Sequence, residues 1–168
     1  MERAYLSIGA NLGDPIATCT RAVERLAADP DLVLRAVSGF YRTAPQGVVD
    51  QPDFINLAAA LDCALEPAAL LERLQALERA LGRRPGRRWG PRLLDLDLVL
   101  FGERVIDGPG LQLPHPRLQQ RRFVLEPLAE IAPGARHPLL GRSVAELLAD
   151  LGAGGGRVER LDRSPPTG

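Results

Sequence analysis

Apolar and polar positions alternate most regularly between Leu94 and Phe101, where Leu94, Leu96, Leu98 and Leu100 are interleaved with Asp95, Asp97 and Val99. Successive side chains on a strand point to opposite faces, so this spacing predicts leucines on one face and both aspartates on the other. Ala4 to Gly9 reads as a short apolar strand, and Gly9-Ala10-Asn11-Leu12-Gly13 as a structural turn out of it. Asp14 before Pro15 marks a helix start, with Ala17, Val23, Leu26 and Ala27 as an apolar stripe that ends before Asp29-Pro30-Asp31. Leu32 to Tyr41 alternates weakly and predicts a second strand, and Asp53 to Leu61 a third. Thr43 to Pro52, with its two prolines, reads as an ordered functional loop between them.

After Glu66-Pro67 the period lengthens. Leu70, Leu74, Leu77 and Leu81 fall at helical spacing and Gly82 supplies a stop. Gln75 and Glu78 lie off that seam and by themselves read as a solvated polar face. Arg121, Arg122 and Phe123 open a helical segment that breaks near Pro127 or Ala132-Pro133, and Ser143 caps a last short helix from Val144 to Leu151. From Gly152 a glycine run and a Ser-Pro-Pro-Thr-Gly end read as a flexible tail. The expected organisation is one domain over residues 1–151 and a Gly/Pro-rich tail over 152–168. The order β, α, β, then β, α, β predicts an α+β, ferredoxin-like fold: a mainly antiparallel four-stranded sheet, helices packed on one face, and long catalytic loops. The opposite sheet face would stay open and carry Asp95, Asp97, Phe54 and Asn56.

Composition changes this picture in one respect. The 21 basic and 21 acidic residues cancel, so no whole-molecule field favours nucleic acid or an anionic membrane. Yet every basic residue is arginine, and several crowd between Arg83 and Arg92, just before the aspartate strand. A balanced chain with a concentrated basic loop points to a local anion site. Guanidinium groups match phosphate geometry, and paired carboxylates suit Mg²⁺, whose remaining ligands come from phosphate and water. Arginines and carboxylates beside a long loop therefore describe a nucleotide polyphosphate site better than they describe a surface strand. No Gly-X-X-X-X-Gly-Lys-Ser/Thr loop exists, so ATP must be held in another way. Cys19 and Cys63 lack metal-ligand spacing and read as reduced, partly buried thiols. The amino terminus carries no signal-peptide pattern and charges interrupt every apolar run, which gives a cytoplasmic, non-membrane expectation. A monomer is expected, since no heptad or long apolar edge asks for a partner. The main rival reading is a ferredoxin-like RNA- or single-strand-binding module, in which Phe54 and Phe123 stack on bases; two same-face aspartates would repel its ligand.

Several blocks occur together in order: Ser7-Ile8-Gly9-Ala10-Asn11-Leu12-Gly13, Phe40-Tyr41-Arg42-Thr43-Ala44-Pro45, Gln51-Pro52-Asp53-Phe54-Ile55-Asn56, Arg88-Trp89-Gly90-Pro91-Arg92 before Asp95-Leu96-Asp97, and Pro114-His115-Pro116. In sequence and spacing they resemble the 6-hydroxymethyl-7,8-dihydropterin pyrophosphokinases of folate biosynthesis, over about Ala4 to Pro133. The resemblance implies transfer of the β,γ-pyrophosphoryl group of ATP to the pterin hydroxymethyl group, with ATP and that pterin as small-molecule substrates. A relative that binds pterin without turnover is a further alternative. It implies that Asp95 and Asp97 hold two Mg²⁺ ions, and that Arg83 and Arg92 contact and align the transferring group. Gln75, Glu78, Arg84, Trp89, Arg92, His115 and Arg121 would serve the nucleotide. Thr43, Ala44, Gln46, Phe54, Asn56, Trp89 and Phe123 would form the pterin pocket, with the amide of Asn56 reading its edge between two rings. The chain departs from the pattern in the Gly82–Trp89 loop, one residue shorter than in familiar members. It departs also at Gly110, which replaces an arginine near the nucleotide, and at Gln112.

Overall fold

The computed structural model describes residues 1–45, 50–82 and 94–165. Its frame is two βαβ halves interleaved in one sheet. In the first, β1 (Glu2–Ala10) leads through α1 (Pro15–Ala28) to β2 (Leu32–Val37). After β3 (Tyr41–Thr43), the second half runs from β4 (Phe54–Cys63) through α2 (Pro67–Leu81) to β5 (Asp95–Phe101). β4 pairs antiparallel with both β1 and β2, and β1 pairs antiparallel with β5. The path β5–β1–β4–β2 thus places one strand of each half between the two of the other, which is the split arrangement expected from the element order.

Four further short strands, β6 (Ile106–Gly108), β7 (Leu111–Leu113), β8 (Arg136–His137) and β9 (Arg142–Ser143), form two hairpins outside the sheet. Helix α3 (Arg122–Ile131) lies between the two hairpins, and helix α4 (Val144–Leu151) and strand β10 (Val158–Arg160) follow the second. The helix ends follow the local chemistry. The Asp14 carboxylate accepts from Ala17 N at 3.1 Å, and Ser143 and Glu146 form a reciprocal capping box at α4. Pro127 lies inside α3 and does not end it; the helix continues to Ile131.

Three expectations are corrected. First, the sheet has six strands rather than four. Leu32 to Tyr41 is not one strand: β2 ends at Val37 and the chain re-enters as β3, so that the two lie along successive parts of β4. Second, residues beyond Gly152 do not form a loose tail as far as they are described. β10 pairs with β3, Arg160 meets Glu130 at 3.0 Å, and the Phe40 N–H reaches Arg163 O at 3.1 Å. Glu130 also accepts from the Tyr41 hydroxyl at 2.7 Å and from Gly39 N at 3.0 Å, so one carboxylate gathers three separate segments. Third, helices cover both sheet faces. α1 and α2 bury Ala4, Leu6, Ile8, Leu57, Leu61, Leu96 and Leu98 on one side. On the other side, α3 and α4 close over Ala58, Val99 and Leu100 through Val124, Leu125, Leu128, Val144 and Leu147.

The stripe of α1 is also rotated from the expected one, burying Thr18, Cys19, Ala22, Val23 and Leu26.

The leucines of β5 do not all share one face. The β1–β5 register shifts between Tyr5 and Leu6, which leaves Val99 as an extra residue opposite them. A bulge reverses the alternation beyond it. Leu94, Leu96 and Leu98 therefore face α1 and α2, whereas Leu100 belongs to the core under α3.

Candidate active site

Past the edge of α3, the second sheet face is uncovered and its character changes. On β1 the residues facing this side are Ser7 and Gly9; the register sets Ser7 beside Asp97 and Gly9 beside Asp95. On β1's other flank, Gly9 is level with Asn56, and Thr43 of β3 is level with Phe54. Ser7, Gly9, Thr43, Ala44, Phe54, Asn56, Asp95, Asp97, Arg117, Arg121 and Phe123 together line a cavity of about 400 Å³. Asp95 and Asp97 therefore share this face with Phe54 and Asn56, and β1 lies between the two strands.

Local bonds hold the cavity's polar wall. Asn56 Nδ2 donates to Thr43 Oγ1 at 2.7 Å, and both residues are buried. An ideal Cβ on Gly9 would lie 2.5 Å from Asn56 Oδ1, so the amide requires glycine there. The Asn11 amide donates to Gln51 Oε1 at 2.9 Å and to Pro52 O at 3.1 Å, tying the first turn to the loop that enters β4. The Arg121 guanidinium lies 5.5 Å from the centre of the Phe123 ring. Burial lowers the Arg121 pKa, the charges of Asp97 and Asp95 oppose that shift, and Arg117 adds to it. Arginine stays charged throughout, so Arg121 is a fixed cation facing the two carboxylates.

A second cavity, about 440 Å³, lies along the outer edge of β5. Its walls are Leu71 of α2, Leu96, Asp97 and Leu98 of β5, residues 108–112 of the β6–β7 hairpin, and His115-Pro116. Asp97 lines both cavities. His115 Nδ1 accepts the Arg117 N–H at 3.2 Å, which leaves Nε2 as the protonated nitrogen of the neutral ring. Burial, reinforced by the charges of Arg121 and Arg117, pushes the His115 pKa below its ordinary value and keeps it neutral near pH 7.

Glu78 overturns the solvated-face reading. It is only 7% exposed, and its Oε2 accepts the Leu96 N–H at 3.0 Å, between the two aspartates of β5. The carboxylate thus pins α2 to the strand that carries Asp95 and Asp97. Gln75, one turn earlier, is exposed.

Gln46, Arg83, Arg84, Trp89 and Arg92 lie outside the described residues. The sequence by itself does not mark Ser7, Gly9 or Arg117 as site residues, and all three line the first cavity. Ser7 and Gly9 follow from β1 alternation once its neighbours are known, and Arg117 stands two residues after His115. Gly110 and Gln112, noted as departures, line the second cavity. Among the described residues no group of three or more His, Cys, Asp or Glu side chains could hold a metal.

Residues 5–133 match the model of the 7,8-dihydro-6-hydroxymethylpterin-pyrophosphokinase (HPPK) family. The chain belongs to the HPPK family. A Pseudomonas aeruginosa relative named 2-amino-4-hydroxy-6-hydroxymethyldihydropteridine pyrophosphokinase is 47% identical over 149 residues, covering 89% of this chain and 91% of the relative. A Bacillus subtilis relative of the same name is 43% identical over 128 residues, covering 76% and 77%. Among solved structures, a Plasmodium falciparum HPPK-DHPS chain superposes with a TM-score of 0.72 at 15% identity, covering 89% of this chain and 45% of that one. At that identity the match speaks for the HPPK fold alone, and this chain spans under half the length of that structure. No helix among the described residues is long and apolar enough to cross a membrane.

Proposed function

We propose that this HPPK chain transfers the β,γ-pyrophosphoryl group of ATP to the hydroxymethyl group of 6-hydroxymethyl-7,8-dihydropterin in folate biosynthesis. The carrying observation is Asp97, which lines both cavities and so stands where two substrates would meet. The first cavity suits a flat heteroaromatic: Phe54 and Phe123 offer ring faces, and Asn56 and Thr43 offer polar groups at its edge. The second, built from hairpin backbone and leucines, suits the nucleotide, with His115 Nε2–H as a donor to its phosphates.

The hydroxymethyl oxygen attacks the β-phosphorus. The bond from that phosphorus to the oxygen bridging the α-phosphorus breaks, AMP leaves with the bridging oxygen, and the hydroxyl proton is lost. This chemistry asks a protein chiefly for positioning and charge stabilisation, and well-oriented reactants account for roughly 7–11 kcal/mol of barrier. Asp95 and Asp97 fit Mg²⁺, which takes one or two carboxylates and completes its shell with phosphate oxygens and water. Two bound ions would acidify the attacking hydroxyl and neutralise the transferring group. Arg121, facing the carboxylate pair, offers a donor fork to the same group. By the family resemblance, Arg83 and Arg92 would add to it.

The test is product identity. The purified chain should convert ATP to AMP only when Mg²⁺ and the reduced hydroxymethylpterin are both present. Formation of ADP, or equal turnover without the pterin, would sink the reading.

A further inference from the structure

Arg117 belongs to none of the sequence blocks that carry the family resemblance. It is exposed, lines the first cavity with Asp95, Asp97 and Arg121, and does not line the second. Its backbone is fixed on both sides. The N–H donates to His115 Nδ1 at 3.2 Å, and its carbonyl accepts from Gln120 N at 3.0 Å. Arg73, Arg104, Arg122 and Arg142 each hold a carboxylate. The Arg117 guanidinium makes no hydrogen bond or ion pair among the described residues. Instead it sits close enough to other cationic or potentially cationic groups to disfavour their protonation, acting on both Arg121 and His115. Asp95 and Asp97 offset part of that charge, and a guanidinium that lines the cavity without bonding a carboxylate of its own can still take an anion that enters it.

The cavity's geometry says which anion. Phe54 and Phe123 would stack on the bicycle, and the charged side chains that line the same cavity would meet its substituent. The acceptor alcohol brings no charge to them. The pyrophosphorylated pterin brings a diphosphate, whose oxygens match the guanidinium fork.

We propose that Arg117 is a binding residue for the diphosphate of the pyrophosphorylated pterin, reached from the pterin side of the carboxylate pair. This rests on the reaction proposed above. Arg117 discriminates between the two pterins: it strengthens binding of the product and leaves binding of the alcohol unchanged. By the same contact it holds the product after AMP has left.

The experiment uses the full chain with Mg²⁺ and measures equilibrium binding of three ligands: the hydroxymethyl pterin, its pyrophosphate ester, and a non-hydrolysable ATP analogue. Arg117→Ala should weaken binding of the pyrophosphate ester about tenfold, the scale of one charge-assisted hydrogen bond, and leave the alcohol within about twofold. Arg117→Lys should restore part of that loss, because it returns the charge without the fork. The salt dependence of ester binding should also weaken in Arg117→Ala. Equal loss for ester and alcohol would overturn the proposal by making Arg117 a structural residue. Unchanged ester affinity would overturn it outright. A larger loss for the ATP analogue than for the ester would overturn it by assigning Arg117 to the nucleotide. If the wild-type chain converts ATP to AMP and Arg117→Ala leaves ester binding intact, only this inference fails. If the wild-type chain makes no AMP, the proposed reaction itself fails.

Discussion

The two halves of one sheet face use the same strands for opposite purposes. On β1, Tyr5 packs under α3, while Ser7 and Gly9, two and four residues on, line the first cavity. On β4 the change falls between Asn56 and Ala58, and on β5 between Asp97 and Val99. The covered half is dry, closed by Leu125, Leu128 and Leu147, and its value lies in apolar area removed from water. The uncovered half keeps polar groups at a cavity wall, where they cannot contribute to packing. What links the halves is rigidity: strands clamped by a core at one end hold side chains still at the other.

That contrast can be broken by exchanging which property a mutation damages. Asp97→Ala should have the largest effect, a loss of about a thousandfold in turnover, roughly 4 kcal/mol of transition-state stabilisation. Its thermal midpoint should stay near that of the wild type, and its pterin affinity should fall far less than in Asn56→Ala. Equal loss of pterin binding in the two variants would mean that the cavity is not divided as described. Leu125→Ala, which deletes a fully buried side chain from the covered half, should cost about 3 kcal/mol of stability by chemical denaturation. Turnover of the fraction that remains folded should change little. A folded variant with wild-type stability would show that the covered half is not the clamp.

The smallest effect is on pH. Burial holds both His115 and His137 below the ordinary value of 6.5. His137 Nδ1 accepts from Leu139 N at 3.2 Å and Leu140 N at 3.1 Å, a geometry that needs the ring unprotonated. For a depressed histidine the unfolded chain binds the proton first as pH falls. The stability contribution is therefore complete above about pH 6.5 and is lost below it, as pH falls toward the lowered folded-state value. Melting followed from pH 7.5 to 5.5 should show this decline, and His137→Asn should flatten it. A melting temperature constant across that window would count against the buried neutral state of both rings.

Much of the frame could be read from local pattern. The alternation at Asp95–Asp97, the helical leucines of α2 and the caps at Asp14 and Ser143 each depend on near neighbours, and each forms as expected. The misreadings share one cause, a dependence on distant residues. Glu78 looks like a surface carboxylate until β5 arrives beside it and the Leu96 N–H turns toward it. Leu100 looks like a partner of Leu98 until the Val99 bulge sends it to the other face. Residues 158–160 look like tail because their composition is poor in apolar side chains; β3 offers them backbone hydrogen bonds, which composition does not record.

The site divides in the same way. Sequence alone determined the chemical inventory: two carboxylates one residue apart on a strand, arginines crowded before them, a phenylalanine and an asparagine alternating on another strand, and a histidine between prolines. These residues carry their charge, ring or amide wherever they are placed. Tertiary structure decided who meets whom. It brought Arg117 and Arg121 to the mouth of the Asp95–Asp97 pair, gave Asp97 to two cavities at once, and put Gly9 against Asn56 so that only a hydrogen fits between strand and amide. Those relations come from strand register and from a helix stopping short of the sheet's edge. Both are set by packing over the whole fold, so no local stretch of sequence contains them.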